Sequence, residues 1–147
     1  MPLRARFDAK LKERFPSGTK LLAAVSGGAD SICLAELLDA SGEYPYSLVH
    51  CNFHLRGEES DTDEAFVRAW AESHGVELLT EHFDTEKFAA ENGVSIEMAA
   101  RELRYRRFGE LCREHGFEAV LTAHNANDNA ETLVLNLLCG TGINGLA

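Results

Sequence analysis

The chain has few cysteines, no close cysteine pair and no long apolar run. Its 147 residues include four cysteines, Cys33, Cys51, Cys112 and Cys139, and no C-x-x-C pair. Zinc and iron–sulfur sites usually place ligands in close pairs, so this spacing argues against a cysteine-held metal cluster. No apolar stretch approaches the roughly 20 residues of a membrane span, and none suits a signal peptide. We therefore expect a cytoplasmic protein without membrane contact.

Basic residues are scarce as well, since 14 Lys and Arg stand against 24 Asp and Glu, for a net charge of −10. Nonspecific nucleic-acid binding depends on Lys and Arg neutralising phosphates, so this balance argues against it for the chain as a whole. Residues 1–20 are an exception, with six basic and two acidic residues. Any nucleic-acid contact should therefore be local, through an arm or a patch.

Apolar runs and helical repeats alternate along the chain. Strands are predicted at residues 20–25, 46–51, 76–81 and 118–123, and helices at 31–40, 61–73, 95–115 and about 129–139. This order predicts an α/β fold, a Rossmann-like parallel sheet with helices on both faces. Ligands of such sheets lie beyond the carboxyl ends of the strands. The polar segments 26–31, 50–56 and 124–128 each follow a strand and should converge at that edge.

Residues 26–31, Ser-Gly-Gly-Ala-Asp-Ser, have the composition of a phosphate-binding loop. The two glycines permit a tight turn and a close backbone approach, and the following helix directs N–H groups at the same point. Ser26 and Ser31 can add hydroxyl donors. Asp30 would repel phosphate unless it holds Mg²⁺ that bridges the phosphates. The alternative is an ordinary strand–helix turn in which Asp30 is a helix N-terminal charge.

Two further segments have both a functional and a structural interpretation. His54 and Arg56 could lie over a nucleotide, or residues 50–60 could form a mobile acidic surface loop. Arg101 and Arg104 share a helix face and are suited to bind phosphate or carboxylate. That face could equally be solvated and paired with the glutamates of its own helix.

A third segment begins the last predicted helix, where Asp128 and Glu131 are three residues apart. They fit a plain capping pair that closes the helix N-terminus. They also fit two carboxylates that bind a cation, either Mg²⁺ or an amine. A cap at the carboxyl edge of a sheet can serve a ligand as well.

Together these segments resemble the tRNA(Ile)-lysidine synthase family of PP-loop (N-type) ATP pyrophosphatases. The S-G-G-x-D-S hallmark stands at residues 26–31, but several other PP-loop families share it. The narrower resemblance lies in H-C-N-F-H-L-R at 50–56, A-R-E-L-R-Y at 100–105, and the segments 122–132 and 140–146. It implies an adenine nucleotide alpha hydrolase-like fold, with residues 1–19 as a basic arm or helix and 20–147 as the catalytic domain. We expect that domain to be truncated at its C-terminal end, without accessory tRNA-binding domains.

The resemblance also implies two-step chemistry with ATP and Mg²⁺. The wobble cytidine of a tRNA(Ile) with a CAU anticodon is adenylated at its C2 oxygen, and L-lysine then displaces AMP to give lysidine. A homodimer is among the expected assemblies. The implied ATP-binding residues are Ser26, Gly27, Gly28, Ala29, Asp30, Ser31, His54, Arg104 and His124. The implied catalytic residues are Asp30, Arg101, Asp128 and Glu131, with Asp30 on the metal and Asp128 and Glu131 on the lysine.

The chain departs from the family pattern at a few positions. These are Asn125, Asn127, Asn129 and Cys139, where the family usually has histidine, aspartate, glutamine and arginine. The retained Asp128 and Glu131 keep the carboxylate pair. Two rival interpretations are a PP-loop tRNA thiolase, which would tend to carry paired cysteines, and a noncatalytic nucleotide-binding module of the universal-stress type.

Overall fold

The computed structural model describes residues 3–55, 57–125 and 133–139. Within these ranges the elements are α1 (Leu3–Arg14), β1 (Leu21–Ala24), α2 (Ala29–Ser41), β2 (Tyr46–Asn52), α3 (Glu58–His74), β3 (Leu78–His82), α4 (Thr85–Asn92), α5 (Ile96–His115), β4 (Ala119–Asn125) and β5 (Leu133–Cys139). None of these helices is both long enough and apolar enough to cross a bilayer.

The five strands form one sheet in the order β3-β2-β1-β4-β5. β1 is parallel to both of its neighbours, and β2 is parallel to β3. β5 runs antiparallel along β4 and forms one edge of the sheet. The predicted α/β class with a parallel sheet is confirmed for the first four strands.

Helices cover both faces of the sheet. Side chains alternate along each strand, so the apolar strands present buried side chains on both faces. Leu21, Ala23 and Val25 point into a buried cluster shared with α1, α2 and α3. Leu22 points the other way, into a cluster that contains Phe108 of α5. Strands that are apolar on both faces are typical of a covered parallel sheet.

The basic N-terminal segment forms a helix that rests on the first cluster. Phe7 and Leu11 of α1 are buried there. Arg4 donates a hydrogen bond to the carbonyl oxygen of Ala40 at the end of α2, at 3.0 Å. The basic side chains therefore line the solvent side of a packed helix, while the division into an arm and a catalytic domain stays a prediction.

The predicted helix at about 129–139 is wrong for residues 133–139, which form β5. Seven residues of this strand pair in continuous antiparallel register with β4, from Cys139 opposite Ala119 to Leu133 opposite Asn125. A short apolar run has no periodicity that separates a helix from a buried strand. The exposed edge of β4 supplies the backbone partners that decide between them.

The start of α3 also differs from the prediction. The sequence predicts this helix at 61–73, but it begins at Glu58 after Gly57, and Asp61 inside it accepts a hydrogen bond from Asn52. Phe66 is 53% exposed, whereas Val67 is fully buried. The buried face of α3 therefore includes Val67 and not Phe66.

Candidate functional site

The carboxyl ends of β1, β2 and β4 surround a cavity of about 170 Å³, the first cavity below. It is lined by Ala24, Val25, Ser26, Ser31, Val49, Cys51, Phe53, Arg104, Phe108, Thr122 and Ala123. The strand order reverses between β1 and β4, so this is the topological switch point of the sheet. Open α/β sheets bind ligands at that point. The predicted convergence of segments 26–31 and 50–56 at one edge is confirmed by their shared cavity.

The loop between β1 and α2 is closed by its own two serines. The Ser31 hydroxyl accepts from the backbone N–H of Ser26 and donates to the carbonyl of Gly28, both at 3.0 Å. The Ser26 hydroxyl accepts from the backbone N–H of Gly28 at 3.3 Å. Ser31 is buried, so these bonds are shielded from water. Both hydroxyls therefore shape the loop as well as lining the cavity.

The N-terminus of α2 opens toward this loop without a side-chain cap. Gly28 is the N-cap residue and has no side chain to accept from the first helical N–H groups. Ala29, Asp30 and Ser31 form the first turn. N–H groups at a helix start and the positive end of the helix dipole together favour an anion. The geometry of residues 26–31 is compatible with the predicted phosphate loop, and Asp30 lies in the first turn of α2, as the alternative also expects. The phosphate loop stays a prediction.

Gly27 is the point where α3 packs against the loop. Its φ is +95°, in the left-handed region, and a Cβ built there would lie 3.2 Å from the Cβ of Asp63 and 3.3 Å from its carbonyl oxygen. A side chain at this position would be strained and crowded at once. Glycine is therefore required here by the close approach of α3.

Asp30, the predicted metal residue, is half-buried in the first turn of α2. No group of three or more His, Cys, Asp and Glu side chains that could hold a metal ion occurs among the described residues. The described part of the chain therefore has no metal site formed by three or more such side chains. Magnesium commonly takes one or two carboxylates and fills its remaining positions with phosphates and water, and Asp30 fits that mode.

The arginines of α5 fall into two groups. Arg104 lines the first cavity, and its buried Nε has no hydrogen-bond partner among the described residues. Arg101 is exposed one turn earlier, and neither residue forms an ion pair with any described carboxylate. Arg106 pairs with Glu102 at 2.8 Å, and Arg107 pairs with three glutamates, of which Glu81 on β3 is nearest at 2.9 Å. The predicted pairing with glutamates therefore holds for Arg106 and Arg107 and not for Arg101 and Arg104, although Arg101 is solvent-exposed.

A second cavity, of about 160 Å³, lies on the α3 side of the sheet. It is lined by Ser26, His50, Cys51, Asn52, Phe53, Leu55, Ser60 and Asp63. His50 is buried, and its Nδ1 lies 2.7 Å from the carbonyl oxygen of Val25. A carbonyl only accepts, so Nδ1 carries the proton of this bond. His50 is therefore hydrogen-bonded to the residue that follows the neighbouring strand β1.

His54, predicted to bind ATP, lines neither cavity. Its Nε2 lies 2.7 Å from Nδ1 of His82, whose Nε2 lies 3.0 Å from Glu64 of α3. Its φ is +53°, and its backbone N–H donates to the side chain of Asn52 at 2.9 Å. Asn52 is itself buried. The structure therefore places His54 in a histidine–carboxylate chain beside the site rather than in it.

Several predicted residues lie outside the described part of the structure. These are Arg56, the side chains of His124 and Asn125, Asn127, Asp128, Asn129, Glu131, the side chain of Cys139, and the segment 140–146. Their roles stay predictions. β4 carries Thr122 and Ala123 on the wall of the first cavity and ends at Asn125, immediately before residues 126–132 in the sequence.

Sequence reasoning missed Cys51 and Phe53, which line both cavities. Their signal was their position at the carboxyl end of β2, where ligands of a parallel sheet bind. Phe53 is also stacked on Phe83, with ring centroids 5.3 Å apart. This stack packs the loop after β2 against the residue that follows β3.

Cys51 should be unreactive in the folded protein. Burial is the largest cause that raises the pKa of its thiol, from the ordinary 9.0 to about 12. The thiolate is the nucleophile, so iodoacetamide at pH 8 should leave Cys51 unmodified in native protein and modify it in urea, as measured by peptide mass spectrometry. Because the folded state holds this proton more tightly, the free energy of unfolding should fall as the pH rises from 9 toward 12. Equal labelling rates in native and unfolded protein would contradict the burial.

The parallel sheet, the uncapped glycine loop and the cavity at the switch point define the class, an α/β domain of the adenine nucleotide alpha hydrolase type. The family model described as the PP-loop domain matches residues 3–147. The chain therefore belongs to the PP-loop family, and the predicted membership is confirmed.

Curated relatives of this chain are named tRNA(Ile)-lysidine synthase. The Porphyromonas gingivalis W83 protein is 51% identical over 144 residues, which cover 97% of this chain and 32% of that protein. The Bacteroides thetaiotaomicron protein is 50% identical over 127 residues, 86% of this chain and 30% of that protein. The Chlorobaculum tepidum protein is 44% identical over 133 residues, 88% and 40% respectively. The chain thus spans about a third of the length of the first two relatives.

Solved structures share the fold at much lower identity. A U34-tRNA thiolase from Methanococcus maripaludis has a TM-score of 0.59 and 18% identity, covering 84% of this chain and 45% of that one. An NH3-dependent NAD synthetase from Campylobacter jejuni has a TM-score of 0.58 and 13% identity, covering 82% and 52%. These likenesses support the fold alone.

Proposed function

We propose that this chain is the ATP-binding part of a tRNA(Ile)-lysidine synthase. Such an enzyme joins L-lysine to C2 of the wobble cytidine of a tRNA(Ile) with a CAU anticodon and converts ATP to AMP and pyrophosphate. The observation that supports this choice of substrate is about 50% identity to proteins of that name over most of this chain. PP-loop membership and the loop geometry support the nucleotide. The cytoplasmic location and the homodimer expected from the sequence stay predictions.

In this proposal the nucleotide binds at the first cavity with its phosphates on the loop. Apolar walls from Val49, Phe53 and Phe108 suit a base and a sugar. The N–H groups at the start of α2 suit the phosphates, because they supply donors and a positive dipole without a cap side chain in the way. Arg104 on the wall would neutralise further phosphate charge. Its buried Nε has no hydrogen-bond partner among the described residues, and such a ligand would supply one.

Asp30 is the residue that would hold Mg²⁺ beside these phosphates. The ion, when bound, offsets phosphate charge as pyrophosphate departs. The half-buried carboxylate stands in the first turn of α2, close to the predicted phosphate position. Without a cation the carboxylate would repel the phosphates, and a bound Mg²⁺ would offset that repulsion.

In the proposed reaction the C2 oxygen of cytidine forms a bond to the α-phosphorus, and the bond to pyrophosphate breaks. The lysine ε-amine then bonds to C2, the C2–oxygen bond breaks, AMP leaves and the amine loses a proton. The loop and Arg104 orient the α-phosphate and stabilise the charge that develops on it. Arg101 stands one turn from Arg104 on the same helix and would add its positive charge beside the same phosphates. Asp128 and Glu131 stay the proposed contacts for the lysine amines, and His124 stays a proposed ATP-binding residue.

The thiolase alternative shares the adenylation step but needs a sulfur donor. Its paired cysteines are missing from this sequence, whose cysteines are all isolated. The likeness to the Methanococcus maripaludis thiolase is one of fold, at 18% identity. A noncatalytic nucleotide module would not require Asp30. Relatives at about 50% identity favour the lysine-dependent reaction over both.

Pyrophosphate release should depend on the RNA substrate. We expect a fusion of this chain to the C-terminal remainder of the Porphyromonas gingivalis relative to release pyrophosphate from ATP only with unmodified tRNA(Ile) bearing a CAU anticodon. AMP release should then rise with L-lysine concentration. The measurement is a coupled pyrophosphate assay with a parallel AMP readout.

The controls separate nucleotide binding from substrate choice. A tRNA with a different anticodon should give only background release, and ornithine should replace lysine poorly. Release that is independent of tRNA, or that requires a sulfur donor instead of lysine, would refute the proposal. ATP binding by the 147-residue chain alone would still stand as a separate result.

A further inference from the structure

Tyr105 of α5 lies against two guanidinium groups. The Cζ atoms of Arg101 and Arg104 are 5.0 Å and 5.2 Å from its ring centroid. The Tyr105 ring also meets Phe108 edge to face, with centroids 6.2 Å apart and an interplanar angle of 89°. Phe108 is fully buried on the wall of the first cavity. The ring is therefore anchored to the cavity wall and is in contact with both arginines.

The two arginines hold positive charge that no described carboxylate neutralises. Arg106 and Arg107 on the same helix show the usual arrangement, since each has a glutamate within 3 Å. Arg101 and Arg104 instead share one aromatic ring, and the buried Nε of Arg104 has no hydrogen-bond partner in the part of the chain that the structure describes. Like charges kept together without a counterion favour a site for an anion.

We propose that Tyr105 is a positioning residue that holds Arg101 and Arg104 as a two-armed clamp for the phosphates of the bound nucleotide. This inference rests on the proposed nucleotide binding and adds a residue that acts through two others. Long arginine side chains lose much rotamer freedom on binding, and contact with an aromatic face reduces that loss in advance. The clamp therefore binds phosphate and leaves the adenosine part to the apolar walls.

The test compares ATP with adenosine on the 147-residue chain by titration calorimetry. Tyr105→Leu should weaken ATP binding about tenfold, as expected for the loss of two cation–π contacts, while adenosine affinity stays unchanged. Tyr105→Phe keeps the ring and should bind ATP like the unchanged chain. The matched control is Phe88→Leu, which removes the ring 5.5 Å from Arg106 but leaves that arginine paired with Glu102. This variant should bind ATP normally.

A second variant keeps the test valid if Tyr105→Leu folds poorly, as judged by thermal unfolding. Arg101 is exposed, so Arg101→Met should fold and should weaken ATP but not adenosine binding. In a Tyr105→Leu background Arg101→Met should have little further effect, because the ring no longer holds the arm.

Two results would overturn the clamp, namely unchanged ATP affinity in Tyr105→Leu or an equal loss of ATP and adenosine affinity. If the unchanged chain does not bind ATP, the nucleotide proposal fails by itself. The clamp is then tested with inorganic pyrophosphate, and pyrophosphate affinity that is absent, or the same in Tyr105→Leu, overturns it. Weaker pyrophosphate binding in that variant supports the clamp without the nucleotide.

Discussion

Replacing Gly27 by alanine is expected to destabilise the folded chain by about 1–3 kcal/mol and to weaken ATP binding at least about tenfold. The φ of +95° strains any L side chain, and the new Cβ would press on Asp63 at 3.2 Å. Relief requires the loop to change its backbone or α3 to move away. Either movement displaces the N–H groups of α2 from the phosphates. Thermal unfolding and ATP titration measure the two effects.

Gly28→Ala is the matched control for the stability effect. Gly28 has a φ of −77° and a ψ of 163°, which any residue adopts, and the nearest atom to an added Cβ is the Ser26 hydroxyl oxygen at 3.5 Å. Its unfolding free energy should stay within about 1 kcal/mol of the unchanged chain. Gly27→Ala with unchanged stability and unchanged ATP affinity would show that α3 does not constrain the loop.

Replacing Asp30 by asparagine is expected to reduce turnover by about 10²–10³-fold, the range seen when one electrostatic contributor to a transition state is lost. The affinity for Mg²⁺-loaded ATP should fall, whereas the affinity for metal-free ATP should stay the same or rise. The sign differs because the carboxylate attracts the cation and repels bare phosphate. Titrations with and without Mg²⁺ separate the two, and the pyrophosphate assay gives the rate.

Asp39→Asn is the control on the same helix. Asp39 stands in a later turn of α2 and accepts a hydrogen bond from Tyr46 at 3.0 Å, which an asparagine oxygen can still accept. The variant carries the same change of charge and should bind both forms of ATP normally. Equal Mg²⁺ dependence in Asp30→Asn and the unchanged chain would remove Asp30 from the metal site.

Strands and helices with clear local signals were predictable from the sequence. β1 and β2 are short apolar runs that end at polar segments, and α2 and α5 end where glycine follows a helical repeat. Helix C-termini favour glycine because a left-handed residue completes the last turn, as Gly116 does with a φ of 73°. α4 was missed, although Asp84 caps it by accepting from the backbone N–H of Lys87 at 3.3 Å. Its eight residues are too short for a helical period to stand out.

Part of the candidate site was predictable, the loop at 26–31 from its local composition and Arg104 from the family resemblance. The loop at 26–31 and Arg104 are brought to one cavity, as expected. His54 is not, because a left-handed backbone at that residue directs its ring to His82 on β3. No spacing along the chain could have indicated that contact. The contacts of Tyr105 were not predicted, because an aromatic residue on a helix usually packs in a core. Tyr105 packs against the second apolar cluster and also contacts the guanidinium of Arg101.

The amino-acid sequence alone determined the alternation of strands and helices, the glycine loop and the family. These depend on neighbouring residues, whose propensities and spacing are written along the chain. The tertiary structure decided which side chains meet at the loop and that residues 133–139 pair with β4. It also decided which arginines of α5 form ion pairs. Arg107 pairs with Glu81 of β3, whereas Arg104 lines the first cavity. Such contacts join residues far apart in sequence, so only the packing of the sheet and its helices determines them.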